Sequence, residues 1–231
     1  AITEDFSYFE KNKTSKDQRL FLLDESDQNS PYYLYSKAEI NLQWAFARLK
    51  FKQYPTAAYE LIKAYKLLKK NRKKFPKFNL NNKGLGLIHA FLAAVPKDYH
   101  WALDIAGIEG NLPLGIRELD AILNDNNLLI YENEVLFLLS FLKINLANNE
   151  DYSSSCLNRI GDRYKENILL NFAAASLSHK IGDNEFCLKI LQSRPKNFRD
   201  INFYYLDYLE GMSYLYKLDY QNAKKKFSYF L

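Results

Sequence analysis

The sequence predicts an all-α protein, a right-handed α-solenoid in which helical hairpins stack into an α-α superhelix. Three observations carry that expectation. Glycine and proline are scarce, eight and six in 231 residues, about half of average usage, which argues against a turn-rich β-sandwich, a collagen-like chain or disorder. Apolar residues recur at mixed three- and four-residue spacing. The segments with that spacing come in pairs joined by short polar connectors, as antiparallel helices require.

Residues 1–30 read as a partly helical N-terminal segment and 31–79 as the first helical hairpin. From Pro31 to Lys50, Tyr32, Tyr35, Ile40, Leu42, Phe46 and Leu49 mark a wide apolar face. Pro55 is placed to open a second helix as its first residue, with Tyr59, Ile62, Tyr65 and Leu68 continuing the stripe. Residues 80–125 form an irregular, glycine-containing helical insert: a helix from Gly84 to Val95 ended by Pro96, then a short one over Tyr99–Ala106 stopped by Gly107. Residues 126–231 hold further pairs, Glu132–Leu146 with Tyr152–Tyr164, Ile168–Ile181 with Glu185–Ser193, and Ile201–Leu218 with Gln221 to the end. One continuous array is the expected organisation. An array that stops at Phe227, Tyr229, Phe230 and Leu231 would leave an apolar end face, so the native chain is expected to continue.

Gly211, Tyr214, Tyr220, Ala223 and Phe227 carry the small and aromatic positions of the tetratricopeptide pattern at its spacing. Gly182 to Leu191 resembles the turn and second helix of the same repeat, with Cys187 at the small position, and Tyr54, Ala57, Leu61 and Ala64 repeat the second-helix spacing. The turn position then falls at Tyr152, Asn184 and Tyr220. The middle stretch is Gly84-x-Gly86, Pro96, Gly107-Ile108-Glu109-Gly110, Gly115 and Leu119. It resembles the signature of the tetratricopeptide repeat protein 39 family, which includes the fungal inclusion body clearance proteins; Ile108 stands at that family's turn phenylalanine. The resemblance covers Lys83 to Leu119. It implies a helical-repeat scaffold without known catalytic residues, in a family linked with protein aggregates, lipid droplets and outer membranes.

A formal charge of +5 hides an asymmetry. Between Leu61 and Lys97 there are ten basic residues and no acidic one, so the remainder is net negative. On this segment Lys63, Lys66, Lys70 and Lys74 form one helical stripe, a candidate for an anionic partner such as phospholipid or RNA, against the commoner alternative of a solvated lysine face. No RNA-reading motif accompanies it, which disfavours nucleic acid. The longest uncharged apolar stretch, Gly84 to Pro96, is 13 residues, too short to span a bilayer. Cys156 and Cys187 are too few for a disulfide framework and read as reduced core thiols. The chain starts at Ala1 without Met, so an upstream piece is expected, and the compartment depends on it: cytoplasmic by default, cell envelope if that piece is a signal peptide.

Catalytic chemistry finds no footing. Gly84-x-Gly86 has His89 where a third phosphate-loop glycine would stand. His89, His100 and His179 lack zincin spacing, so no metal and no cofactor is expected; His89 reads as a satisfied, partly buried group and His179 as an exposed one. Ser153, Ser154 and Ser155 read as helix caps, and Asp24, Glu25 and Asp27 as solvated charge. An enzyme would need a pocket gathering groups such as Glu109, Asp104 and His100. The expected function is protein or peptide binding without a small-molecule substrate, along a groove lined by the first helix of each pair: Phe172, Ser176, His179 and Lys180 on one, Tyr205, Tyr208, Met212 and Tyr216 on the next. Tyrosines offer apolar area with a hydrogen-bonding tip; the alternative for Tyr205–Tyr216 is contact with a following repeat. Oligomeric state leaves no mark on the sequence.

Overall fold

Side-chain caps open several of the helices, and αL turns close others. The structure, a computed structural model, describes residues 5–94, 107–146, 150–195 and 203–230, with the side chains of 150–153 excluded. Every regular element among the described residues is helical, and the chain divides into two units, Thr3–Leu129 and Ile130–Leu231.

In the first unit, α1 (Phe6–Asn12) starts at Asp5, whose carboxylate accepts hydrogen bonds from the amides of Ser7 and Tyr8. Next comes α2 (Ser15–Asp24), packed on α3 (Pro31–Lys50), which begins with Ser30 as cap and Pro31 in its first turn. α3 occupies its predicted span and pairs with α4 (Tyr54–Lys74). Pro55 lies one residue inside α4 rather than opening it.

α5 (Asn81–Leu92) begins three residues before Gly84, so both glycines sit inside the helix and not at its start. The partner helix α6 (Leu112–Leu123) is capped by the Asn111 side chain. Val95, Pro96 and the expected helix over Tyr99–Ala106 fall outside the described residues. Close approach, the reason assigned to the glycines, is realised: a Cβ on Gly115 would lie 2.4 Å from the Gly86 carbonyl oxygen and 2.7 Å from the Ala90 nitrogen. The backbones of α5 and α6 therefore touch where both helices lack a side chain. Ile108 is buried at the turn position.

The second unit holds α7 (Glu132–Asn145), α8 (Glu150–Ile160), α9 (Ile168–Lys180), α10 (Asn184–Gln192), α11 (Tyr204–Tyr216) and α12 (Tyr220–Phe230). Ser153–Ser155 and Tyr152 lie within α8, which starts earlier than expected because Glu150 already begins it; the serines are not caps. α9 is buried almost all round and packs on α7, α8, α10 and α11.

Three hairpins share one turn. Lys52, Gly182 and Leu218 adopt positive φ, at 58°, 81° and 60°. Their amides donate to the carbonyls of Leu49, His179 and Leu215, and the next amides (Gln53, Asp183, Asp219) donate to Arg48, Ser178 and Tyr214. This is the paired-bond closure of a Schellman motif. Three residues after Asp183 and Asp219, the amides of Phe186 and Asn222 donate to those carboxylates and open the following helix. Five residues past each positive-φ position stands a small buried side chain, Ala57, Cys187 or Ala223. Gly182 and Leu218 are 36 residues apart, as are Cys187 and Ala223.

Two stability outcomes are expected. Gly115→Ala should lower the urea midpoint despite the ~1 kcal/mol that alanine gains by helix propensity, because overpacking against backbone costs about 1–3 kcal/mol. Gly84→Ala, which meets the side-chain tips of Leu68, Leu42 and Glu39 and no backbone, should stay near neutral by the same measurement. At the shared turn, a Cβ on Gly182 meets nothing within 4 Å, so Gly182→Ala should cost about 1 kcal/mol from backbone strain alone, and Leu218→Gly should raise the thermal midpoint.

Candidate functional surfaces

α9 and α11 bring the eight expected groove residues together in the second unit, yet most are already engaged. Phe172 stacks on Phe203 with ring centroids 5.0 Å apart, and His179 on Tyr216 at 5.3 Å. Tyr205 and Tyr208 pack against Phe230 at 5.6 and 5.1 Å, and Tyr208 also meets Phe227 at 6.0 Å. Ser176 is buried, and Met212 half-buried. The Lys180 ammonium donates to the carbonyls of Lys143 (2.8 Å) and Ile144 (2.7 Å), where it satisfies the open end of α7. Tyr208 and Tyr216 keep exposed rings. His179, expected on an open face, is half-buried, with Nδ1 3.2 Å from the Asn184 Oδ1.

A separate open groove of about 580 Å³ runs beside α10 and α11, lined by Phe186, Leu188, Gln192 and Tyr214 among others. None of the expected groove residues borders it. At its mouth the Lys217 ammonium pairs with the Glu185 carboxylate.

The chemistry-bearing clusters are ionic and were missed by sequence reasoning. In the first unit, Glu118 on α6 is buried; its Oε1 accepts from Arg72 of α4 (2.9 Å) and its Oε2 from His89 Nδ1 of α5 (2.6 Å). Burial pushes the Glu118 carboxyl up, but the His89 and Arg72 hydrogen bonds outweigh it and hold the group below the usual 4.5. Tyr65 presents its ring edgewise to His89 at 5.9 Å, and burial raises its phenol. A carboxylate-oriented imidazole can move a proton when a nucleophile bonds its other nitrogen; no hydrogen bond joins His89 Nε2 to any described residue. The cluster joins three helices, α4, α5 and α6. Glu109 is exposed, and His100 and Asp104, its expected companions, lie outside the described residues. Asp24, expected as solvated charge, is exposed, and at the surface it also accepts from Lys37 and from the Tyr33 hydroxyl (2.6 Å).

Cys187 is fully buried with its thiol pushed up to about 11, chiefly by burial. Burial thus disfavours the thiolate form on which cysteine reactivity depends. No group of three or more metal-ligating side chains occurs among the described residues, and no helix there is long and apolar enough to cross a membrane.

The lysine stripe is formed as expected. Lys63, Lys66, Lys70 and Lys74 are exposed on α4, flanked by exposed Lys69 and Lys73. Its helix buries Ala57, Glu60, Leu61, Ala64, Leu68 and Asn71 on the opposite side. Glu60 takes Lys16 (2.8 Å) and Arg48 (3.0 Å) on a single oxygen, so the acidic residue of this helix faces inward.

Because the Glu118 carboxyl is held below its unfolded value, its contribution is present above about pH 4.5 and fades as pH falls through the lower folded value. Urea midpoints taken at about pH 6 and about pH 3.5 should show a smaller acid-induced loss for Glu118→Gln than for the parent chain. No family model matches this chain, no curated protein matches it, and no solved structure matches it.

Proposed function

We propose that this chain is a tetratricopeptide-like helical-repeat scaffold, without catalysis, that binds another protein through the face carried by the first helices of successive pairs. The supporting observation is the shared turn of three hairpins, with the 36-residue step between α9–α10 and α11–α12. At that step Phe172 corresponds to Tyr208, Ser176 to Met212 and Lys180 to Tyr216, all on first helices. Repeats of this kind bury their apolar faces against neighbours and leave their first helices available to ligands. The resemblance to the tetratricopeptide repeat protein 39 family rests on Lys83–Leu119 and supports the same class.

Exposed Tyr208 and Tyr216 are the best contact residues, since a tyrosine ring covers apolar area while its hydroxyl pairs with a peptide group. Phe172 and Lys180 set the face's shape from beneath through their intramolecular contacts.

Affinity capture should recover a defined protein set with the parent chain and lose it with Tyr208→Ala/Tyr216→Ala, by about tenfold or more if both are energetic anchors. Undiminished recovery by a variant with the parental unfolding midpoint would overturn the proposal.

A further inference from the structure

The solvent face of α4 concentrates six lysines, Lys63, Lys66, Lys69, Lys70, Lys73 and Lys74, all exposed, along about 17 Å of helix. Neighbours three and four residues apart repel one another, as Lys66 does Lys70 and Lys69 does Lys73. Elsewhere on this helix charge is compensated: Glu60 is paired, and Arg72 turns to Glu118. On the lysine face, Lys66, Lys70 and Lys73 have no hydrogen bond or ion pair to any described residue. Lys74 donates to the Gln28 carbonyl and Asn29 side chain, which fixes one end of the face. The carboxylate whose charge reaches Lys63, Asp24, is already held by Lys37 and Tyr33.

We propose that this face docks on an anionic phospholipid bilayer, with α4 lying along the surface. An unscreened row of one sign calls for an anionic counter-surface, and the residue types select which one. The face contains lysine and no arginine, so it lacks the planar fork that reads phosphate and base edges in nucleic acids. Two of its nearby rings are already engaged: Tyr65 meets His89 and lies under the Lys69 ammonium, and Phe75 is half-buried beneath the Lys74 ammonium. Strand-binding proteins instead combine a basic groove with aromatic platforms for stacked bases. A helix edge meets a plane along its whole length, and lysine stems rest on apolar surface while their ammonium groups stay at the headgroups. Tyr59, 65% exposed one turn before Lys63, adds a ring suited to the membrane interface.

Flotation of the full chain with vesicles tests this. Phosphatidylcholine vesicles with about 30 mol % phosphatidylserine should bind it at about 50 mM salt, weakly at about 300 mM, and phosphatidylcholine alone should not. Lys66→Gln/Lys70→Gln/Lys73→Gln keeps good helix formers and should weaken binding about a hundredfold, from about fivefold for each lysine. Lys189→Gln/Lys224→Gln/Lys225→Gln removes equal charge from other exposed sites and should change it less than about threefold. Absence of binding by the parent chain to the anionic vesicles, or equal losses in the two variants, would overturn the proposal. So would tighter binding of polyuridylate that is lost in Lys66→Gln/Lys70→Gln/Lys73→Gln, which would assign the face to RNA.

Discussion

Two helices can lie only as close as their widest facing residues permit, and this structure is built where those residues are small. Gly86 and Gly115 let α5 and α6 meet backbone to backbone. In the second unit the Cys187 thiol reaches the Ala175 carbonyl at 3.3 Å, and Gly211 receives the ring of Phe227. Each glycine inside a helix costs about 0.5–1 kcal/mol relative to alanine. Close packing offsets that cost, since separations of even half an ångström forfeit much of the dispersion between surfaces.

Buried carboxylates do the rest of the joining. Glu60 receives Lys16 and Arg48, Glu118 receives Arg72 and His89, and Glu210 receives Arg194 and Lys226. In each case one acid draws basic groups from different elements into a fixed arrangement. Such pairs add little net stability once desolvation is counted, but removing one partner leaves an uncompensated buried charge. Their common effect is on arrangement: they specify which helix faces which. They also take acidic residues out of solvent. On α4 this leaves the lysine face without a carboxylate of its own helix to balance it.

The expected partner-binding face shows the same competition between packing and availability. The aromatic residues of that face lie on α9 and α11, but Phe172, Tyr205 and Tyr208 pack their rings on Phe203, Phe227 and Phe230. Lys180 is drawn to carbonyls of a helix more than thirty residues away. Periodicity identifies the side of a helix that meets something; it does not say whether that something belongs to the same chain.

Local properties were therefore legible in the sequence: helical class, the span Pro31–Lys50, the recurrence of paired helices, the small residues at Ala57, Cys187 and Ala223, and the exposed lysine stripe. All follow from contacts within a few residues, where backbone hydrogen bonding and the 3.6-residue period act. The tertiary structure alone decided that Gly84 and Gly86 lie inside a helix, that His89 pairs with a glutamate 29 positions away, and that the exposed Asp24 takes Lys37 as its surface partner. Those outcomes depend on which distant side chains folding brings within hydrogen-bond reach, and no local spacing records that choice.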